Sequence, residues 1–207
     1  MDVRLLAISD LHVSHRRNRE ALTGIPPHPD DWLIVAGDVS ERVEHLTATL
    51  AVLTARFARV FWVPGNHDLW CPPAAADRSR GQARYEELVG ICRQAGVLTP
   101  EDAFVAAANT CIMMMFIWAC ERFKLDLQSY DCRAEGTKLI ELDRTEIFTH
   151  LRFWPVIRIT VGDEAQEVVE KRTRRALQSA QKYSLVANSV KSEVIIEPMI
   201  ELVKEDR

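Results

Sequence analysis

Three short apolar runs each end in a loop that carries acid or imidazole. Val3 to Ile8 leads into Ser9-Asp10-Leu11-His12, Trp32 to Ala36 leads into Gly37-Asp38, and Val60 to Val63 leads into Pro64-Gly65-Asn66-His67-Asp68. Short runs rich in branched residues and ended by Gly or Pro predict buried strands of a parallel sheet. In open sheets of that kind the reactive groups gather at the carboxyl ends of the strands. Three neighbouring strand ends therefore bring Asp10, His12, Asp38, Asn66, His67 and Asp68 toward one crevice. Residues i and i+2 of extended backbone point to the same side, so Asp10 and His12 can grip one ion. Oxygen and imidazole donors together suit Mn, Fe or Zn.

The segments between these runs read as crossovers. Arg16 to Leu22 is a short helix, and Gly24 to Pro29 is a loop, because its prolines exclude helix. Ser40 is the expected N-cap of a helix over Glu41 to Arg56, with Val43, Leu46, Leu50 and Leu53 at helical spacing. Strand, loop, helix and strand make a βαβ unit, which needs a parallel sheet. A loop runs from Cys71-Pro72-Pro73 to about Ser79, and a helix over Gln82 to Ala95 ends at Gly96. His28 and His45 read as surface residues.

Beyond this point the chain changes character. All six lysines lie at or after Lys124, while five of the six histidines lie at or before His67. Seven of nine prolines and six of eight glycines fall before residue 105, so two segments of different origin meet near residues 103–110. Asn109 to Phe123 is an apolar core helix. Lys124 to Arg133 and Lys138 to Leu142 are strands turning at Glu135-Gly136. Glu146 to Val161 is β-rich and bent at Trp154-Pro155, Glu164 to Lys182 is an amphipathic helix, and Val190 to Val203 is extended. The fold class is thus an α/β first half with βαβ units and an α+β second half, divided as 1–105 and 106–207.

A net charge of −4 implies no general attraction to nucleic acid or anionic membrane. The N-terminus has no charged leader with an apolar core, and Cys111 to Cys120 is too short to span a bilayer. Five cysteines without a C-x-x-C pair fit a reduced, cytoplasmic setting.

D-x-H, then G-D, then G-N-H-D, in that order and on that framework, resembles the calcineurin-like metallophosphoesterases. The resemblance implies two divalent ions (Mn, Fe or Zn) held by Asp10, His12, Asp38 and Asn66, with Asp38 shared between them. It implies a phosphoester substrate. His67 would protonate the leaving alkoxide, and Asp68 would orient His67 through its other ring nitrogen. Members of this family also supply later histidines, including a G-H-x-H motif. This chain has only His150 after His67. The expected activity is therefore weak or absent.

Ala108-Asn109-Thr110-Cys111 opening an apolar helix, Cys132-Arg133-Ala134-Glu135-Gly136 and the segment Ala180 to Ser189 resemble the OsmC-like proteins. That resemblance implies two facing cysteines that reduce peroxides, and a homodimer built through this half. Cys111 matches one cysteine, and the other position falls on Ser184. Two further readings thus stand beside the phosphoesterase: a thiol peroxide-handling protein lacking its second cysteine, and a non-catalytic composite chain. The plainer reading of Cys111 is a buried apolar residue, ahead of a working thiol.

Overall fold

The computed structural model describes residues 3–71 and 79–204. Most of the loop expected after Cys71 thus lies outside the described residues. The chain separates into two compact units, Met1–Pro100 and Glu101–Arg207.

The first unit is built on β1 (Leu5–Ile8), α1 (Arg16–Thr23), β2 (His28–Ala36), α2 (Val43–Thr54), β3 (Phe57–Val63), α3 (Asn66–Leu69) and α4 (Gln82–Gln94). β1, β2 and β3 form one parallel sheet in that order, with Ile8 opposite Val35 and Ala36 opposite Val63. The three carboxyl ends are therefore level. Leu33, Val35, Val60 and Trp62 point into a core shared with Leu46, Leu50 and Leu53 of α2 and Leu88 of α4. Each such side chain contributes about 1.5–3 kcal/mol by leaving water. The alternate positions Leu5, Trp32 and Val63 stay exposed on the other face of the sheet.

β2 begins at His28, inside the segment expected to be loop. His28 is half-buried, stacked on Phe57 at 5.0 Å and bonded to Asp31, so it is not a surface residue. Asp31 also holds the Arg4 guanidinium at 2.6 Å, and that bond lowers its carboxyl to about 2. The Ser40 cap is replaced as well. α2 starts after Arg42, and the Ser40 hydroxyl accepts from Arg42 N–H at 3.2 Å just ahead of the helix while also meeting Ser14 and His45.

The second unit comprises α5 (Pro100–Phe123), β4 (Asp126–Ile140), β5 (Glu146–Val161), α6 (Gln166–Tyr183), α7 (Leu185–Ser189), β6 (Glu193–Ile196) and β7 (Met199–Lys204). β4 and β5 make a long antiparallel pair, and β6 and β7 run parallel to successive parts of β5. Pro155 falls between the β6 register, which ends at Phe153, and the β7 register, which starts at Val156. Proline is tolerated where a ladder is interrupted, so the expected bend becomes a change of partner.

The turn expected at Glu135-Gly136 is continuous strand. Gly136 is small for packing reasons: a Cβ there would sit 2.6 Å from Phe148 and 2.9 Å from Val105. The actual turn lies at residues 141–145, where Arg144 takes a φ of 69° and Glu141 N–H donates to Thr145 at 2.8 Å.

α5 begins nine residues before the predicted start and has a mean hydropathy of 1.9 over its most apolar window, enough by length and composition to cross a membrane. One face, Val105, Ala108, Ile112, Phe116 and Cys120, packs against Phe153, Ile157 and Ile159 of β5 and against α6. A third of that window is buried, and Met114, Ile117 and Trp118 on the rest of the helix are exposed.

Candidate metal centre

The loops that follow β1, β2 and β3 continue the sheet's hydrogen bonding past the strand ends. Asp10 N–H donates to Gly37 O at 3.2 Å, His12 N–H to Asp38 O at 2.9 Å, and Val13 N–H to Val39 O at 3.0 Å. The third loop closes on the second: His67 N–H donates to the Asp38 carboxylate at 2.9 Å. One ligand atom from each of Asp10, His12 and Asp38 lies within 4.8 Å of the others. The His67 ring stands edge-on to His12 with centroids 4.8 Å apart. Asn66 is the exposed first residue of α3, between Gly65, which packs on Asp38, and His67, which bonds to it.

The backbone here is held in an unfavourable form. Among the described residues five non-glycines have positive φ, and Asp10 (55°), His12 (40°) and Asp38 (55°) are three of them. Such conformations cost about 1 kcal/mol or more each and cluster at functional sites. Gly37 has φ 79°, and a Cβ on it would lie 2.6 Å from Gly65.

Asp68 takes a different role from the one expected. It is fully buried, and its carboxylate accepts from Val39 N–H (2.8 Å), Ser40 N–H (3.0 Å) and Gly65 N–H (2.9 Å). Burial raises its pKa, and these amides oppose the rise. No bond joins its carboxylate to the His67 ring. Asp68 clamps the second loop to the third, and His67 is oriented through its own backbone and by His12 and Trp70.

Residues not anticipated from the sequence complete this scaffold. Ser14 donates to Glu41 at 2.8 Å and lies 2.9 Å from Ser40, and His45 reaches Ser40 at 3.2 Å. His45 is thus half-buried in a polar network, not a surface residue. Arg84 is 5% exposed and donates to Asp68 O (3.2 Å), Glu41 O (3.0 Å) and Glu87 (3.1 Å). Arg84→Met should remove about 2 kcal/mol from this loop pair, because its charged hydrogen bond to Asp68 O vanishes. The expected readout is roughly thirtyfold faster hydrogen exchange at the Val39 and Ser40 amides.

Two oxygen donors and one imidazole, converging on a preformed pocket of backbone, fit a divalent ion of the Mn, Fe or Zn type. His150 belongs to the second unit, where it bonds to Thr149 at 2.9 Å and approaches Glu193 at 3.4 Å.

A calcineurin-like phosphoesterase family model matches residues 3–130, and an OsmC-like protein model matches residues 94–198. The chain belongs to the calcineurin-like phosphoesterases in its first part and to the OsmC-like proteins in its second. The calcineurin-like family generally uses divalent metals. The [acyl-carrier-protein] phosphodiesterase PptH of Mycobacterium tuberculosis is 50% identical over 101 residues, which is 48% of this chain and 31% of that protein. The chain therefore spans about a third of this curated relative's length. The crystal structure of the Mycobacterium tuberculosis phosphopantetheinyl hydrolase aligns at 27% identity and a TM-score of 0.45, covering 92% of this chain and 57% of that one. An OsmC-like protein from Vibrio cholerae aligns at 24% identity and a TM-score of 0.45, covering 51% of this chain and 66% of that one.

In the second unit, Ser184 is fully buried and caps α7, and Cys111 lies on α5. The Ser184 hydroxyl, followed by the Val186 and Leu185 amides, lowers the Cys111 pKa against the opposing effect of burial. Cys120, by contrast, is pushed up to about 12 by burial.

Proposed function

We propose that the first unit is a metal-dependent phosphodiester hydrolase site of the kind that acts on the phosphopantetheine linkage of an acyl carrier protein. The convergence of Asp10, His12 and Asp38 within 4.8 Å on a strained backbone carries this reading. The half-length match to PptH supports the choice of phosphodiester.

Asp10, His12 and Asp38, with the Asn66 amide, would hold the ions. Such ions supply Lewis acidity and charge neutralisation for phosphoryl transfer. His67, beside His12, carries the proton for the leaving alkoxide. The Asp68 clamp keeps the Asp38 loop and the His67 loop in register. Turnover is weak, because the later histidines of the family are missing from this chain. The odd cysteine count supports a reduced, cytoplasmic setting, and the OsmC-like half supports self-association.

Titration calorimetry of Mn²⁺ into the full chain tests the site. Asp38→Asn should weaken binding by at least about tenfold, since a carboxylate ligand loses its charge. Equal affinities in the two proteins would remove the basis for the site. With metal present, hydrolysis of an activated aryl phosphodiester should be measurable but slow. His67→Ala should slow poor leaving groups more than activated ones, because only the former need a proton. Uniform loss across leaving groups would contradict the acid role.

A further inference from the structure

β4 carries an irregularity that the fold does not need. Its register against β5 slips between Leu127 and Ser129. Gln128 becomes the extra residue, and its side chain is drawn outward to Asp126 (3.1 Å) and Thr160 (2.7 Å). The alternation of burial is reset there, so Ser129 and Tyr130 are both half-buried. Bulges of this kind re-aim side chains and are enriched beside binding sites.

Ser129 borders a cavity of about 430 Å³ between the last turns of α5 and the start of β4. Met113, Ile117, Leu125 and Leu127 make it apolar, and Glu121 is the charged residue on its wall. Ile117 remains 40% exposed at this cavity. The Ser129 Oγ is buried in the wall and has no hydrogen-bond partner. An unpaired buried hydroxyl is costly, and the great majority find a partner. With no bond fixing its χ1, a single rotamer step presents the hydroxyl to the cavity. Largely apolar walls with a few polar groups are the usual composition of a small-molecule site, and the volume lies within their range.

We propose that this cavity binds a neutral, medium-length acyl ester or amide, with its chain against Met113, Ile117, Leu125 and Leu127 and its carbonyl accepting from Ser129. The charge of the wall sets the class. Glu121 repels a free carboxylate, and among the described residues no cation lines the cavity. The site lies within the second unit and does not depend on the phosphoesterase reading.

Methyl octanoate and sodium octanoate, titrated separately into the full chain with methyl-labelled methionine, provide the test. The ester should shift the Met113 resonance saturably. Octanoate should bind at least about tenfold more weakly, and Glu121→Gln should narrow that gap. Ser129→Ala should weaken the ester about fivefold, the loss of one hydrogen bond. The same change should raise Tm of the free protein by about 2–4 °C, because it deletes an orphaned group. The proposal is overturned by absence of a saturable shift, by equal affinity for ester and acid, or by unchanged ester affinity in Ser129→Ala. A Met113 shift that tracks protein concentration and blocks the ester would assign the surface to a second copy instead. Glu121→Gln, at an exposed position, keeps the charge test available even if Ser129→Ala fails to fold.

Discussion

Gly65→Ala should abolish metal binding while leaving the second unit folded. Gly65 has extended backbone, with φ −96° and ψ 177°, so conformational freedom is not the reason for glycine there. Space is. A Cβ would overlap the Asp38 carboxylate oxygen and backbone nitrogen, and would stand 2.8 Å from its Cγ. Nothing in that contact is a flexible chain end. Asp38 is already at φ 55° and is held on both sides, by His12 N–H on its carbonyl and His67 N–H on its carboxylate. The added methyl must therefore displace the ligand itself. Overpacking of a tight site costs about 1–3 kcal/mol, and loss of the Asp68 and His67 contacts adds to it. We expect no heat of Mn²⁺ binding, together with fast exchange of the His67 amide. Gly90→Ala is the matched control, since a Cβ at that helical position meets nothing within 4 Å. It should be neutral or stabilising by up to about 1 kcal/mol. Wild-type metal affinity in Gly65→Ala would show that Asp38 is not a ligand.

Much of the first unit was legible because its signals are local. Runs such as Leu33-Ile34-Val35 and Phe61-Trp62-Val63 have no other comfortable environment than a sheet, and the residues that end them define its loops. The roles inside the loops were less legible. Spacing places Asp68 beside His67, but spacing does not say which donors are nearer. Backbone amides of Gly65, Val39 and Ser40 win that competition. Ser40 does not sit at the helix start for a related reason: its hydroxyl is engaged by Ser14 from the first loop and by His45 of α2 itself, and the helix begins only after Arg42. Arg84 left no signal at all, because a lone arginine in a helix reads as solvated until its three acceptors are brought to it by the fold. Gly136 shows the reverse failure: glycine suggested a turn, whereas crowding by Phe148 and Val105 is what requires it.

Ser184→Cys should turn the second unit into a dithiol that closes on oxidation. The buried Ser184 hydroxyl and the first amides of α7 lower the Cys111 pKa and favour its thiolate. In the natural chain one equivalent of an organic hydroperoxide should oxidise Cys111 once. The thiolate attacks the peroxide oxygen, the alcohol leaves, and a sulfenic acid remains with no thiol to resolve it. No catalytic turnover should follow. In the variant the introduced thiol displaces water from that sulfenic acid and forms a disulfide. Mass spectrometry should then find a net loss of two hydrogens, mapped to positions 111 and 184. Closing a loop of roughly 70 residues stabilises by about 4 kcal/mol in the chain-entropy model, less any strain. Tm of the oxidised variant should therefore exceed that of the reduced one. Two separately oxidised or unreacted thiols in a folded variant would mean that α5 and α7 hold these side chains too far apart or wrongly aimed. In that case the depressed Cys111 pKa would reflect local hydrogen bonding alone, without the facing-thiol geometry of the OsmC-like proteins.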